Sequence, residues 1–250
     1  MSSAIYPSLR GKRVVITGGA SGIGAGLVRS FVRQGAEVLF LDVVDDDAHA
    51  LVVELHNADS VPRFHHCDLT DLPSVARTFS AIGAIDILVN NAGNDDRHAL
   101  ETITPEYWDD RINTNLRHML FCTQAVVDGM TSRGGGAVIN LGSMSWHLGM
   151  ANLVIYQTAK AGIEGMTRAL ARELGARNIR VLSIVPGNIR TPRQQRWYTP
   201  EGEAEILRQQ CLTLRLEPTD VASLILFLAS DDARGCTGHD YWIDAGWGMT

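Results

Sequence analysis

Tyr156 and Lys160 stand four residues apart in a segment with helical periodicity, so both side chains can serve one site. That pairing suits proton chemistry. A free phenol, with a pKa of about 10, is a poor base near neutrality. A nearby ammonium favours the phenolate and brings it toward the working range. Ser143 follows the apolar run Ala137–Leu141, where its hydroxyl can steady a reacting oxygen as charge develops on it. Asn115 lies in the helical segment Asp109–Met130, and its amide can hold a water that links Lys160 to solvent. Taken alone, Tyr156 and Lys160 also fit an ordinary surface pair. No GxSxG sequence surrounds Ser143, so it is not on a hydrolase nucleophile elbow.

A second set of residues suits a phosphate. In VVITGGASGIG the apolar run Val14–Ile16 leads into Gly18, Gly22 and Gly24, with Ser21 and Ile23 between them and a helix following. Glycines permit a tight turn and a close main-chain approach to a pyrophosphate, and the new helix adds the positive end of its dipole. The spacing is neither GxGxxG nor GxxxxGK[ST], so the Walker lysine of a nucleotide triphosphatase is missing. Asp42 ends the second apolar run. Its carboxylate can accept from both hydroxyls of an adenosine ribose and would repel a 2′-phosphate, which favours NAD over NADP. The alternative for Asp42 is a solvated turn carboxylate, the reading given to neighbouring Asp45–Asp47. Asp68, with Leu69, follows the run Val61–Cys67 and can cap a turn or meet an adenine amino group. Asn90-Asn91-Ala92-Gly93 ends the fourth run, where Gly93 admits a cofactor close to the backbone.

These groups require strand ends and helix starts to converge. Short β-type runs recur at Arg13–Thr17, Glu37–Leu41, Val61–Cys67, Ile85–Asn90, Ala137–Leu141, Arg180–Val185 and Tyr241–Ile243, with helical stretches between most of them. Several runs are almost wholly apolar, as strands covered on both faces are. The alternation predicts an α/β, Rossmann-like, three-layer domain on a mostly parallel sheet. A helix over Tyr156–Leu174 carries Ile163, Met166, Leu170 and Leu174 as a core stripe. Its small residues Ala161, Gly165 and Ala169 suit a subunit contact. The polar and aromatic stretch at approximately 188–215 is expected to form a lid within this single domain.

Bulk properties narrow the class. With 22 basic and 28 acidic residues and no basic tract, nucleic acid is not an expected partner. Cys67, Cys122, Cys211 and Cys236 form no CxxC pair, which reads as reduced thiols without structural zinc. No run approaches the roughly 18 apolar residues of a membrane span, and no signal peptide is evident, so a cytoplasmic location is expected. Only two lysines occur, Lys12 and Lys160, which draws attention to the second.

Across essentially its full length the sequence resembles the short-chain dehydrogenase/reductase family. Thr17–Gly24 resembles its cofactor glycine motif, Asn90–Gly93 its NNAG motif, and Ser143, Tyr156 and Lys160 its serine and YxxxK pattern. Asn115 matches the fourth catalytic residue, Asp68 the adenine contact, and Pro186-Gly187 with Ile189 and Thr191 the late cofactor loop. The resemblance implies a seven-stranded parallel sheet, NAD(P) bound also by Tyr156 and Lys160, and a dimer or tetramer, with a homotetramer expected here.

Segments such as NNAGNDDRH, SMSWHLG and TGHDYWIDAGW resemble the sugar-oxidising members of that family. The expectation is NAD-dependent oxidation of a pentose, D-xylose first, at C1 to a lactone, with Tyr156 as the base; L-arabinose or another sugar is the alternative. Asn94, Ser143, Trp146, Tyr156, Gln157 and Asn188 are the candidate sugar contacts, with Asp95, Arg97, His98 and His147 behind them. Trp146 or Trp197 can pack on the apolar face of a pyranose. No metal is required, because the phenol supplies the acid–base group. A dehydrogenase of non-sugar secondary alcohols and a cofactor-binding regulatory protein remain alternatives; the full Asn-Ser-Tyr-Lys set argues against the second.

Overall fold

The first strand shows how the sheet is buried on both sides. In β1 (Arg13–Thr17) Val14 and Ile16 face one way and Val15 the other, and all three are fully buried. A computed structural model describes residues 4–195 and 198–249. The strands that join β1 are β2 (Glu37–Asp42), β3 (Arg63–His66), β4 (Ile87–Asn90), β5 (Gly136–Leu141), β6 (Ile179–Pro186) and β7 (Asp240–Ile243). They form a seven-stranded sheet in the order β3-β2-β1-β4-β5-β6-β7, with every pairing parallel.

The helices, in chain order, are α1 (Gly22–Arg33), α2 (Asp45–Glu54), α3 (Leu72–Ile82), α4 (Pro105–Ile112), α5 (His118–Ser132), α6 (Ser145–Leu148), α7 (Val154–Leu174), α8 (Pro192–Gln195), α9 (Pro200–Gln209) and α10 (Pro218–Ala229). One core joins α1, α2 and α10 to the first face of the sheet, through Leu27, Phe31, Leu51, Val221 and Ile225. The other joins α3, α5 and α7 to the second face, through Val75, Phe79, Val126, Met130 and Leu174. This is the three-layer arrangement that the alternating sequence predicts.

Several helix starts are written in the sequence. The Asp71 side chain accepts from Ser74 N at 3.2 Å, Thr104 from Tyr107 N at 3.2 Å and Thr199 from Gly202 N at 3.1 Å. Proline at the first or second position preorganises each of these turns. Glu217 and Asp220 form a capping box ahead of α10.

The elements depart from their expected bounds for local reasons. The run Val61–Cys67 yields only Arg63–His66, because β3 is an edge strand paired to β2 alone. Asp109–Met130, read as one helix, is α4 and α5 joined by a π-helical turn at Asn113–Arg117. In α7 the expected stripe holds: Ile163 and Leu174 are buried, and Met166 and Leu170 partly so. Gly165 and Ala169 are exposed.

The tightest backbone approach is at Gly24. A Cβ there would lie 1.9 Å from the Gly18 carbonyl oxygen and 2.8 Å from Asn91 Nδ2. The first neighbour is main chain and the second, the Asn91 amide, is held by two carbonyls, so Gly24→Ala must move the turn itself. The expected cost is about 3 kcal/mol, at the upper end of overpacking, or a Tm lower by roughly 6 to 12 °C. Thermal unfolding of the variant checks this, and a Tm within a degree of the parent would refute it.

Candidate active site

The order of strands reverses direction between β1 and β4, which places the carboxyl ends of both beside one crevice. Side chains fasten those ends together. Thr17 Oγ1 accepts from Asn91 N at 3.0 Å and from Ala92 N at 3.1 Å. Asn91 Nδ2 donates to the Thr17 and Gly18 carbonyls at 2.9 and 2.8 Å. Gly18 and Gly22 have φ of +63° and +55°, so the turn between β1 and α1 requires glycine at both. Ser21 precedes α1 without capping it through its side chain, and no acidic residue sits in the first turn. The helix therefore presents uncapped N–H groups and a positive dipole end at the crevice, which fits the pyrophosphate of a dinucleotide. Thr191 packs against Gly22, its Cγ2 3.4 Å from where a Cβ would stand.

Asp42 is more occupied than a solvated turn carboxylate. It accepts from Ala20 N at 2.9 Å, from Val43 N at 2.8 Å and from Val44 N at 3.1 Å. The carboxylate at the end of β2 thus braces the glycine turn. Asp68 accepts from Thr70 N and Thr70 Oγ1 at 2.8 and 2.7 Å while its residue stays exposed.

The four candidate catalytic residues come from three segments: the π turn, the end of β5 and α7. The π turn bears Asn115, fully buried, whose Oδ1 accepts from Asn94 N at 2.7 Å and whose Nδ2 donates to the Arg111 carbonyl at 2.9 Å. Lys160, 3% exposed, donates from Nζ to the Leu141 carbonyl at 2.7 Å. A Cβ on Gly93 would stand 3.1 Å from Asn115 Oδ1 and 3.5 Å from Lys160 Nζ, so this glycine keeps the three close. Lys160 Nζ lies 5.4 Å from the centre of the Tyr156 ring. Ser143 lies close enough to the Tyr156 phenol to lower its pKa, and its Oγ donates to Ser145 Oγ at 2.9 Å.

Electrostatics here departs from the expectation of a phenol drawn down by its lysine. Desolvation pushes the Tyr156 phenol well above its ordinary value; Asp95 adds to the rise, and Ser143 and Arg193 oppose it. Desolvation also lowers the Lys160 ammonium to about 8, with Asp95 acting the other way. In the protein alone, burial dominates at both groups. Ionising Tyr156 needs more positive charge than Lys160 provides.

Across the mouth, the segment after β4 is latched to α8. Arg193 Nη2 donates to Asn94 Oδ1 at 2.7 Å and to Asp96 Oδ1 at 2.5 Å, and Gln194 Nε2 donates to Asp95 Oδ2 at 3.0 Å. The Tyr198 hydroxyl bonds Asn188 Oδ1 and Gln194 Oε1, and Arg215 bonds Asn188 at its backbone and side-chain oxygens.

A family model described as "Enoyl-(Acyl carrier protein) reductase" matches residues 18–248. A D-xylose 1-dehydrogenase of Caulobacter vibrioides is 67% identical over 247 residues, covering 99% of this chain and 100% of that protein. The chain belongs to the short-chain dehydrogenase/reductase family. As a member it is an NAD(P)-dependent oxidoreductase. A Rhizobium meliloti protein described as "Probable galactose dehydrogenase GalD" is 42% identical over 252 residues, with 98% of each chain covered. Among solved structures, a short-chain type dehydrogenase/reductase from Mycobacterium ulcerans superposes with a TM-score of 0.92 at 26% identity, covering 97% of this chain and 91% of that one.

Several expected contacts of this short-chain dehydrogenase receive other partners. The Asn90 side chain is fully buried and donates to Asn140 Oδ1 at 2.9 Å, so only its backbone can face a cofactor. Ile189 is 5% exposed and packed in the first core; Leu69 packs on the second. Their backbones alone remain available along those stretches. Pro186 gives its carbonyl to Met144 N at 3.2 Å, and Gly187 N donates to the Ile243 carbonyl at 2.9 Å, which fixes the late loop to β7. Trp146 donates its indole N–H to Glu164 Oε1 at 2.8 Å and stacks on His147, 3.7 Å between ring centres, so its polar end is engaged outside the catalytic cluster. Gln157 donates to the Met150 carbonyl at 2.5 Å, leaving its amide oxygen as the free polar end. His98 accepts from Ile155 N at 3.3 Å and anchors the start of α7. Trp197 lies outside the described residues. Among the described residues there is no cluster of His, Cys, Asp or Glu able to hold a metal, and no helix long and apolar enough to cross a membrane.

Sequence reasoning gave no role to Thr17, Glu164 or His118. His118 stands three residues after Asn115 and is fully buried; its spacing on the same helical face was the available signal. Burial, then the nearby Lys160 charge, lowers its imidazole to about 4. The folded value lies below the unfolded one, so this residue's contribution is intact above pH about 6.5 and is lost as pH falls toward 4. Between those limits the expected loss is on the order of 3 kcal/mol. Denaturant titrations of the parent and His118→Asn across that range check it. Equal pH slopes in the two proteins would refute the assignment.

Proposed function

We propose that this dehydrogenase oxidises an aldose at C1, D-xylose first, to the corresponding lactone, and that NAD is its preferred cofactor. The observation that carries the reading is a desolvated phenol facing polar groups: Ser143, Asp95 and Arg193 all lie close enough to act on its charge. A hydrophobic alcohol would gain nothing from this polar rim, whose members already bond one another, whereas the hydroxyls of a polyol can exchange with those bonds. The 67% identity to a D-xylose 1-dehydrogenase over nearly the whole chain supports the same choice.

Ser143 holds the anomeric oxygen, and Tyr156 takes its proton. Lys160 supports the phenolate, and Asn115 fixes the segment at Asn94 through which the proton side of the site is held. A bound oxidised nicotinamide supplies the hydride acceptor and the further positive charge that the phenol requires. Gly18, Ser21, Gly22, Ile23 and Gly24 would hold its pyrophosphate, Asp42 the adenosine ribose, Asp68 the adenine, and Thr191 the nicotinamide end. Asn94, Gln157 and Asn188 are the proposed sugar contacts. The stretch 188–215 acts as a lid, supported by the Arg193 and Gln194 latch. The same reading takes the chain as a cytoplasmic homotetramer, for which exposed Trp108, Leu120 and Trp242 provide apolar surface.

Initial rates on a panel of aldoses and hydrophobic secondary alcohols, with both cofactors, test the substrate class. Oxidation of a pentose to a lactone is expected, and activity confined to the hydrophobic alcohols would overturn it. In the same assay Tyr156→Phe should lower kcat about a hundredfold or more, with NAD affinity little changed.

Asp42→Ser tests the cofactor preference separately. The kcat/KM ratio of NAD to NADP should fall about tenfold, near 1.4 kcal/mol, as the carboxylate leaves. Because Ala20 N also loses its acceptor, stability should fall by about 1 kcal/mol. An unchanged ratio beside a lowered Tm would leave Asp42 as a brace and not a selector.

A further inference from the structure

Glu164 is a buried carboxylate on α7, four residues beyond Lys160 and eight beyond Tyr156, so the three share one side of the helix. Its Oε1 accepts from the Trp146 indole N–H at 2.8 Å and meets His147 Nε2 at 2.9 Å. Burying a carboxylate is costly unless it is paired. An apolar side chain would fill the same space without that cost, so packing alone does not account for the choice of residue.

What the carboxylate holds is α6, a helix of four residues. A single turn is not stable by itself in water, so its place depends on outside anchors. Glu164 provides two, at Trp146 and His147. Further ones are the Pro186 carbonyl, which accepts from Met144 N at 3.2 Å, and Trp242 of β7, whose ring centre lies 4.4 Å from that of His147. The same turn fixes Ser143. Its Oγ donates to Ser145 Oγ at 2.9 Å and accepts from Ser145 N at 3.1 Å, so the first residue of α6 sets the direction of this hydroxyl.

Helix α7 therefore grips the Ser143 segment on both sides. Before the serine, Lys160 Nζ donates to the Leu141 carbonyl at 2.7 Å. After it, Glu164 takes Trp146 and His147. Between these two grips lies the turn of chain that must meet Tyr156, whose ring centre is 5.4 Å from Lys160 Nζ. We propose that Glu164 is a positioning residue for the dehydrogenase reaction, clamping α6 to α7 so that the Ser143 hydroxyl keeps its place beside the Tyr156 phenol. This rests on Ser143 and Tyr156 as the groups at the reacting oxygen, and not on which alcohol is oxidised.

The test is single-turnover formation of NADH with D-xylose or, if no aldose reacts, with the alcohol oxidised fastest in the panel. Glu164→Leu should lower the rate about tenfold or more, with NAD affinity little changed. Glu164→Gln keeps an acceptor oxygen and should recover most of the loss. Because the effect runs through Ser143, it is not additive with loss of that hydroxyl. In a Ser143→Ala background, itself slow, Glu164→Leu should cost almost nothing further. Trp146→Phe removes one donor and keeps an aromatic ring; it should show a smaller loss with the same dependence on Ser143, and it carries the test if the leucine variant does not fold. A lowered Tm with an unchanged rate, or an equal loss in both serine backgrounds, would overturn the proposal. Silence toward aldoses would defeat the proposed substrate, while the cycle with Ser143 on the alternative alcohol still decides the role of Glu164.

Discussion

Lys160 carries its charge with 3% of its surface exposed, and much of the site can be understood as the arrangement that makes this tolerable. An ammonium taken from water loses hydration that few protein groups replace. Here the Leu141 carbonyl at the end of β5 replaces part of it, and Asp95 contributes from the segment after β4. Neither group would reach the lysine without parallel strands that end together, since β5 brings one and β4 the other. The π turn completes the enclosure by bringing Asn115 to the opposite side, close to Gly93.

The same constraint explains why the glycine turn and the catalytic cluster are not independent modules. Thr17, at the end of β1, accepts from the backbone of Asn91 and Ala92; Gly93 follows and touches Asn115 and Lys160. Asp42 braces the turn from the other side. A distortion at the glycine turn thus passes through three consecutive backbone units into the cluster of Asn115 and Lys160. Fully buried Asn90 and Asn140 add a polar rung beneath them, tying β4 to β5, and Asn140 goes on to Thr167 of α7. Each bond is modest, but they converge on the helix that carries Tyr156 and Lys160.

The sequence revealed the sheet well because its signals are local. Val14–Ile16 and Ala137–Ile139 are runs of consecutive apolar residues, and burial on both faces requires that pattern. Tyr156 and Lys160 were legible for a similar reason, their spacing being fixed by one helix. What was not legible depends on partners far apart in the chain. The engagement of Trp146 by Glu164 and the latch from Arg193 to Asn94 and Asp96 have no periodic signature. The π turn was hidden because its residues suit an ordinary helix. Asp42 showed both limits: its place at a strand end was readable, but its bond to Ala20 N depends on how the turn folds back.

At the carboxyl end, the fold gives the tail a defined position before any partner is considered. Asp244 is 7% exposed and accepts from Gly246 N and Gly248 N at 2.9 and 2.6 Å, which curls the chain after β7. Gly248 then lies directly on Trp242, where a Cβ would come within 2.3 Å of the indole. Trp242 in turn meets His147, at 4.4 Å between ring centres, and His147 bonds Glu164 at 2.9 Å. A buried carboxylate on α7 therefore anchors the Trp146–His147 pair, and that pair meets the last strand through Trp242. Since Glu164 lies one helical turn beyond Lys160, the tail and the catalytic helix are connected by direct packing. Trp242 is still 39% exposed after these contacts, so an aromatic face remains open here beside α7.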